Sequence, residues 1–285
     1  MNNKYINDQQ HLQASHQNDM RQTDMETAPS SPPPTRPPFL SRPGLKTYCL
    51  EDLKVNLLVE AQLLFLTLAI GIQDAISYPD FRCFASNQTG NTVVLAVALA
   101  GQVNDLFDPA NTAVSLAAFL AGAMATGQLG NSFGRRRRLW QVAIGVAQVL
   151  MTVGSAVIQY VHGAERTGPW ARGALALLAF ASGSQVAGAR AMRIPEITTA
   201  MATAAWVDLL IDEELFVKRN RSRNRRGLFL ATLVVGSFVG AYTRKAIGSP
   251  NAIMVSAAVK VVVVVAMLIT PGEDAGLNNA KATRS

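Results

Sequence analysis

Six apolar runs, at residues 55–73, 113–133, 139–161, 171–189, 228–246 and 252–270, each approach the ~20 residues that an α-helix needs to cross a bilayer. Nothing else in the chain limits its fold as strongly, because backbone groups in hydrocarbon must find their hydrogen bonds within the protein. The expected fold class is therefore all-α, an integral membrane helical bundle. Two further apolar segments, 89–103 and 195–211, are shorter and more polar, and the second contains Asp208 and runs into Asp212, Glu213 and Glu214. The expectation is about six full spans plus two short or re-entrant helices, with seven or eight spans as the alternative. The 16% charged residues average two different environments, since the ends are polar and the interior runs are nearly free of charge.

Charge decides between these topologies. The formal net charge of +7 has a location: both ends balance, and the excess lies in two loops. One holds Arg135, Arg136, Arg137 and Arg138, the other Lys218, Arg219, Arg221, Arg223, Arg225 and Arg226. Nucleic-acid binding is not expected, because no aromatic residues interleave with these clusters and membrane-length runs flank both. They read as the basic loops that stay cytoplasmic, in contact with the bilayer and its anionic lipid heads. If both short segments crossed, the two clusters would face opposite sides. If both dip in and return, the clusters share the cytoplasmic side with both termini.

Four regions follow: a Pro-, Gln- and Ser-rich tail over 1–46, a membrane repeat over 55–161, a second over 171–270, and a polar tail over 271–285. The first tail ends in Ser30-Ser31-Pro32-Pro33-Pro34 and reads as disordered with polyproline II character. Residues 1–20 have no apolar core, so the first run is expected to serve as an uncleaved insertion signal. Two cysteines, Cys49 and Cys83, and three histidines give neither a disulfide framework nor metal-ligand spacing.

The polar residues inside the apolar runs carry the functional expectation. Gly71-Ile72-Gln73-Asp74 leads to Asn87-Gln88-Thr89-Gly90-Asn91, and a looser copy appears as Gly183-Ser184-Gln185 with Thr198-Thr199 and Thr203-Ala204. Downstream, Phe119-Leu120-Ala121-Gly122-Ala123 is echoed by Phe238-Val239-Gly240-Ala241. With six spans this internal repeat is inverted, the arrangement in which short helices of the two halves meet near the midplane of a transporter.

On Gly71, Asp74, Asn87–Asn91, the basic stop at Gly134–Arg138, and the second-half Gly183-Ser184-Gln185 and Thr198-Thr199, the chain resembles the YoaK-like family of multi-pass membrane proteins of unknown function. The likeness covers about residues 55–270. It departs at Gln185-Val186, where the family tends to Gln-Asn, and at Thr203-Ala204, where it tends to Thr-Gly. The resemblance implies a fold and a membrane location, and no reaction.

The candidate solute-binding residues are Gln73, Asp74, Asn87, Thr89, Gly90, Asn91, Gln185, Thr199, Thr203 and Lys260. Asp74 ends a Gly-rich helix before Tyr78-Pro79, which is expected to break that helix, and its carboxylate suits a cation or a proton. Asn87 to Asn91 would open the first short helix as an N-cap or a polar-ligand site. Glu196, after Pro195, would sit in the first turn of the second. Lys260 sits mid-run, too deep for easy snorkelling, so it is expected either to pair with Asp74, Glu60 or Asp208 or to face a cavity. No catalytic constellation, phosphate loop or dinucleotide motif is recognisable, and no cofactor or metal is implied. The function expected is transport or channel-like passage of a small polar or ionic solute or metabolite. The alternative is a non-catalytic scaffold or accessory protein, and self-association is left open by the sequence.

Overall fold

A computed structural model describes residues 45–102 and 106–273, with side chains from Tyr48 onward. The described residues all belong to one compact unit. The expected tails lie outside the described residues, apart from 45–46 and 271–273. Among the described residues there are nine helices and no strand: α1 (Leu45–Leu50), α2 (Leu57–Phe81), α3 (Gln88–Leu99), α4 (Pro109–Phe133), α5 (Arg138–His162), α6 (Pro169–Ala191), α7 (Ala202–Leu210), α8 (Arg221–Ile247) and α9 (Ser249–Ile269).

Local chemistry explains several boundaries. Asn56, Asp108 and Asn220 each cap a helix with a side-chain oxygen that accepts a backbone N–H, at 3.0, 2.7 and 2.9 Å. Pro109, Pro169 and Pro250 stand in first turns, where a missing N–H costs nothing. Gly134, Gly163 and Gly248 follow α4, α5 and α8 with φ of 90, 82 and 83°. The first span departs from expectation. Pro79 does not break α2, which runs on to Phe81, because a proline so near a helix end forfeits only one internal hydrogen bond. The second short helix is also shorter than expected, Ala202–Leu210, and residues 193–201 are irregular.

Five of the long helices, α2, α4, α5, α8 and α9, are long and apolar enough to cross a membrane. The sixth, α6, is 23 residues long but less hydropathic, since it carries Ser182, Ser184, Gln185 and several glycines; it is enclosed, with Leu175, Leu178, Ser182 and Gln185 all buried. At 1.5 Å per residue, α3 and α7 extend only ~18 and ~14 Å, well short of the ~30 Å hydrocarbon core. Each lies against one neighbour, α3 on α4 and α7 on α8, and buries a single residue, Asn91 and Ala205.

The halves interlock. The first helix of each packs against the third and fourth helices of the other: α2 on α8 and α9, α6 on α4 and α5. The α5–α9 pair crosses the middle antiparallel, with Tyr160 donating to Asn251 at one end and Arg138 to the Leu268 carbonyl at the other (3.1 Å). Glycines make the two seams alike. A Cβ on Gly236 would lie 2.5 Å from the Leu68 carbonyl oxygen, and one on Gly71 2.6 Å from that of Leu233. Gly122 meets the Phe180 carbonyl and Gly183 that of Phe119 in the same way. Gly122 therefore corresponds to Gly236, not to Gly240 as the sequence echo suggested. A left-handed arginine follows both helices, Arg82 (φ 56°) directly after α2 and Arg193 (φ 55°) two residues after α6.

Because α3 and α7 return to the side they leave, both basic loops fall at one end of the bundle. There residues 51–54 form a strap: Leu53 N–H donates to the Arg136 carbonyl, Lys54 N–H to that of Pro271, and Glu273 N–H to that of Asp52. Ion pairs Arg136–Glu273 (3.2 Å) and Arg138–Glu51 (3.8 Å) reinforce it.

Candidate functional site

Most of the ten candidate residues fall into two groups, with Thr199 and Thr203 outside both. The first surrounds the return between α2 and α3. Asp74 Oδ1 accepts the Ser86 N–H (3.0 Å) and Oδ2 the Ser86 hydroxyl (2.5 Å). Asn91, 1% exposed, donates to the Phe84 carbonyl (2.7 Å) and accepts the Phe84 N–H (3.2 Å), and it reaches Ser115 on α4. Asn87 caps α3 by accepting the Gly90 N–H, and Gln88 donates to the Ala85 carbonyl and the Ser115 hydroxyl. These groups are spent on one another and fix the loop. Thr89 is exposed, and a Cβ on Gly90 would meet nothing closer than 3.6 Å, so no close approach depends on that glycine.

In the second half, Thr203 is exposed, while Thr199 is fully buried in the left-handed region (φ 64°) with its hydroxyl unpartnered among the described residues. A β-branched residue held there is strained. Glu196 is not in a helix; it accepts from Ser222 (2.8 Å) and pairs with Arg225 (3.4 Å).

The second group lies in the bundle core. Lys260, 1% exposed, donates to Gln185 Oε1 at 2.9 Å, and Gln185 donates through Nε2 to the Leu66 carbonyl at 3.0 Å. The lysine meets none of the expected carboxylates, because each is committed elsewhere: Asp74 to Ser86, Glu60 to Arg221 and Arg225, Asp208 beside Arg226. Lys260 and Gln185 close the inner end of a cavity of ≈ 20 Å³, whose polar lining is completed by Gln62, Gln141 and Gln148. That is room for about one water molecule. Its other end lies under Leu53 of the strap, which is 1% exposed.

Sequence reasoning missed most of this interior. Helix α5 buries Gln141, Gln148, Thr152, Ser155 and Gln159 on one face. The signal was available: in an apolar run, polar residues spaced by three, four or seven share a helix face. Beyond Lys260 the polar column continues to the opposite end. Gln159 donates to Asp80 (3.4 Å), which also accepts from Ser249 (2.9 Å) and pairs with Arg244 (2.7 Å). At that level both amide atoms of fully buried Gln73, with Ser155 Oγ and Gln159 Oε1, have no hydrogen-bond partner among the described residues. Gln73 occupies in α2 the place that Gln185 holds in α6, two residues after the seam glycine.

Much of the basic character is internally matched. Arg221 and Arg225 (2.6 Å) pair with Glu60, and Arg226 with Asp212 (3.0 Å). Arg138 is 2% exposed and stacks over Tyr48 at 3.7 Å. Arg135, Arg137, Lys218 and Arg219 remain exposed. Among the described residues no three His, Cys, Asp or Glu side chains gather as a metal would need. No curated protein and no solved structure matches the chain. A family model described as "Protein of unknown function (DUF1275)" matches residues 62–266, and the chain belongs to that family.

Proposed function

We propose that this DUF1275 member is a non-catalytic multi-pass membrane protein that passes a small polar or ionic solute or metabolite across the bilayer. The observation that carries the reading is Gln73: a wholly buried amide with neither atom hydrogen-bonded among the described residues, in a core that also buries Lys260 and Gln185. An unsatisfied buried amide costs about 1–3 kcal/mol per group, so its retention favours a polar visitor over inert packing. The one-water cavity fits a closed conformation, and passage requires the helices to part. On the same reading the basic end and both termini are cytoplasmic, and exposed Arg135, Arg137, Lys218 and Arg219 meet anionic lipid heads. The YoaK-like resemblance belongs to this proposal as well.

A second reading, a membrane scaffold, is favoured by the first group of residues, whose polar atoms are satisfied among helices. Single cysteines at 73, 185 and 260, in full-length protein lacking Cys49 and Cys83, separate the two. Conduction expects labelling by a membrane-impermeant thiol reagent at all three. Complete protection, while cysteines at 137 and 219 react, leaves the scaffold.

A further inference from the structure

The charge of the core cavity defines the class of solute. Its lining contains one cationic side chain, Lys260, four glutamines and no carboxylate. Among the described residues, no Asp or Glu oxygen lies within 4.0 Å of the Lys260 ammonium, whereas Asp80 is paired with Arg244, Glu60 with two arginines and Arg138 with Glu51. Gln185 holds the ammonium with its oxygen and is itself held by donating to the Leu66 carbonyl. Gln148 is differently placed: its Nε2 makes only a long 3.4 Å bond to Ser184, leaving a donor free to turn toward the cavity. A charged group held in an apolar interior is costly unless a partner neutralises it.

We propose that Lys260, with the Gln148 amide, is the binding station for a small monovalent anion, of halide or formate size. This rests on the conduction reading and names its solute class. Size follows from the cavity, where ≈ 20 Å³ admits an anion that replaces one water and nothing much larger without rearrangement. Sign follows from the lining, since a cation there would face Lys260 with no carboxylate to offset it. A shallow pocket at the basic end, lined by Arg135, Arg136, Arg190 and Arg193 against the single carboxylate of Asp52, carries net positive charge and concentrates the same sign of ion outside the strap.

Two measurements on the full-length protein separate the site from the conduction reading. The first follows thermal unfolding in detergent as gluconate is replaced by chloride or formate at constant ionic strength. The native protein is expected to be stabilised in a saturable way, Lys260→Met to lose at least about tenfold in apparent affinity, and the exposed control Lys245→Met to behave as native. No stabilisation of the native protein, or equal stabilisation of Lys260→Met, overturns the anion site. The second is chloride efflux from proteoliposomes, with urea and potassium as comparison solutes. Saturable chloride binding without any flux keeps the site and removes conduction. Flux of urea or potassium with no anion binding keeps conduction and removes the anion.

Discussion

At the scale of single residues, glycine and aspartate make the firmest predictions. Alanine at Gly183 or Gly122 would drive a Cβ into the backbone carbonyl of the facing helix, which cannot swing aside as a side chain can. A loss of about 1–3 kcal/mol is expected, read as a lowered unfolding temperature in detergent. Gly127→Ala on the same helix meets nothing within 4 Å and should be neutral or slightly stabilising. Asp74→Ala strands the Ser86 N–H and hydroxyl, at a cost of about 1–3 kcal/mol, and Asp74→Asn should recover part of it. If Asp74→Ala unfolds like the native protein, the carboxylate does not hold the loop. The sequence singles out Asp74, Asn91 and Lys260, since polar groups in apolar runs are always legible. What each one meets was not, because partners come from other helices: Gln185 lies 75 residues from Lys260, and Asp80 was passed over. The orphaned amide of Gln73 is a property of packing alone.

Among the elements, the two short helices decide the topology. Their existence and shortness could be read from chain length and composition. Their boundaries could not: Pro79 sits one turn too late to break α2, and a left-handed arginine follows both α2 and α6 instead. With α3 and α7 returning, cysteines at 137 and 219 should label from the same side of the membrane and one at 166 from the other. Labelling of 137 and 219 from opposite sides would mean that one of the short segments crosses. The polar face of α5 belongs here too. Averaged over 25 residues, the hydropathy of α5 hides five buried polar side chains, which become visible only when the helix is viewed down its axis.

For the whole molecule, the consequential feature is that the two repeats are not two bodies. Because α2 beds on α8 and α9, and α6 on α4 and α5, each half finishes the packing of the other. Residues 44–165 and 166–285 expressed separately should fail to accumulate, and their co-expression should restore a complex recoverable through a tag on either. Accumulation of one half alone would show that its seam glycines pack without a partner helix. The repeat itself was legible in the sequence, but its register was not, because Gly236 and Gly240 both stand one turn apart on the same seam and only the carbonyls they meet tell them apart. The strap over the basic end carries a different consequence. Where the chain enters the bundle, at Leu53, and where it leaves, at Pro271, it is hydrogen-bonded to the same short stretch around Arg136 or to the strap itself. Entry and exit of the bundle are thereby knotted together over one end of the central cavity, so cutting the backbone bonds at either Leu53 or Pro271 should loosen the cover that Leu53 makes.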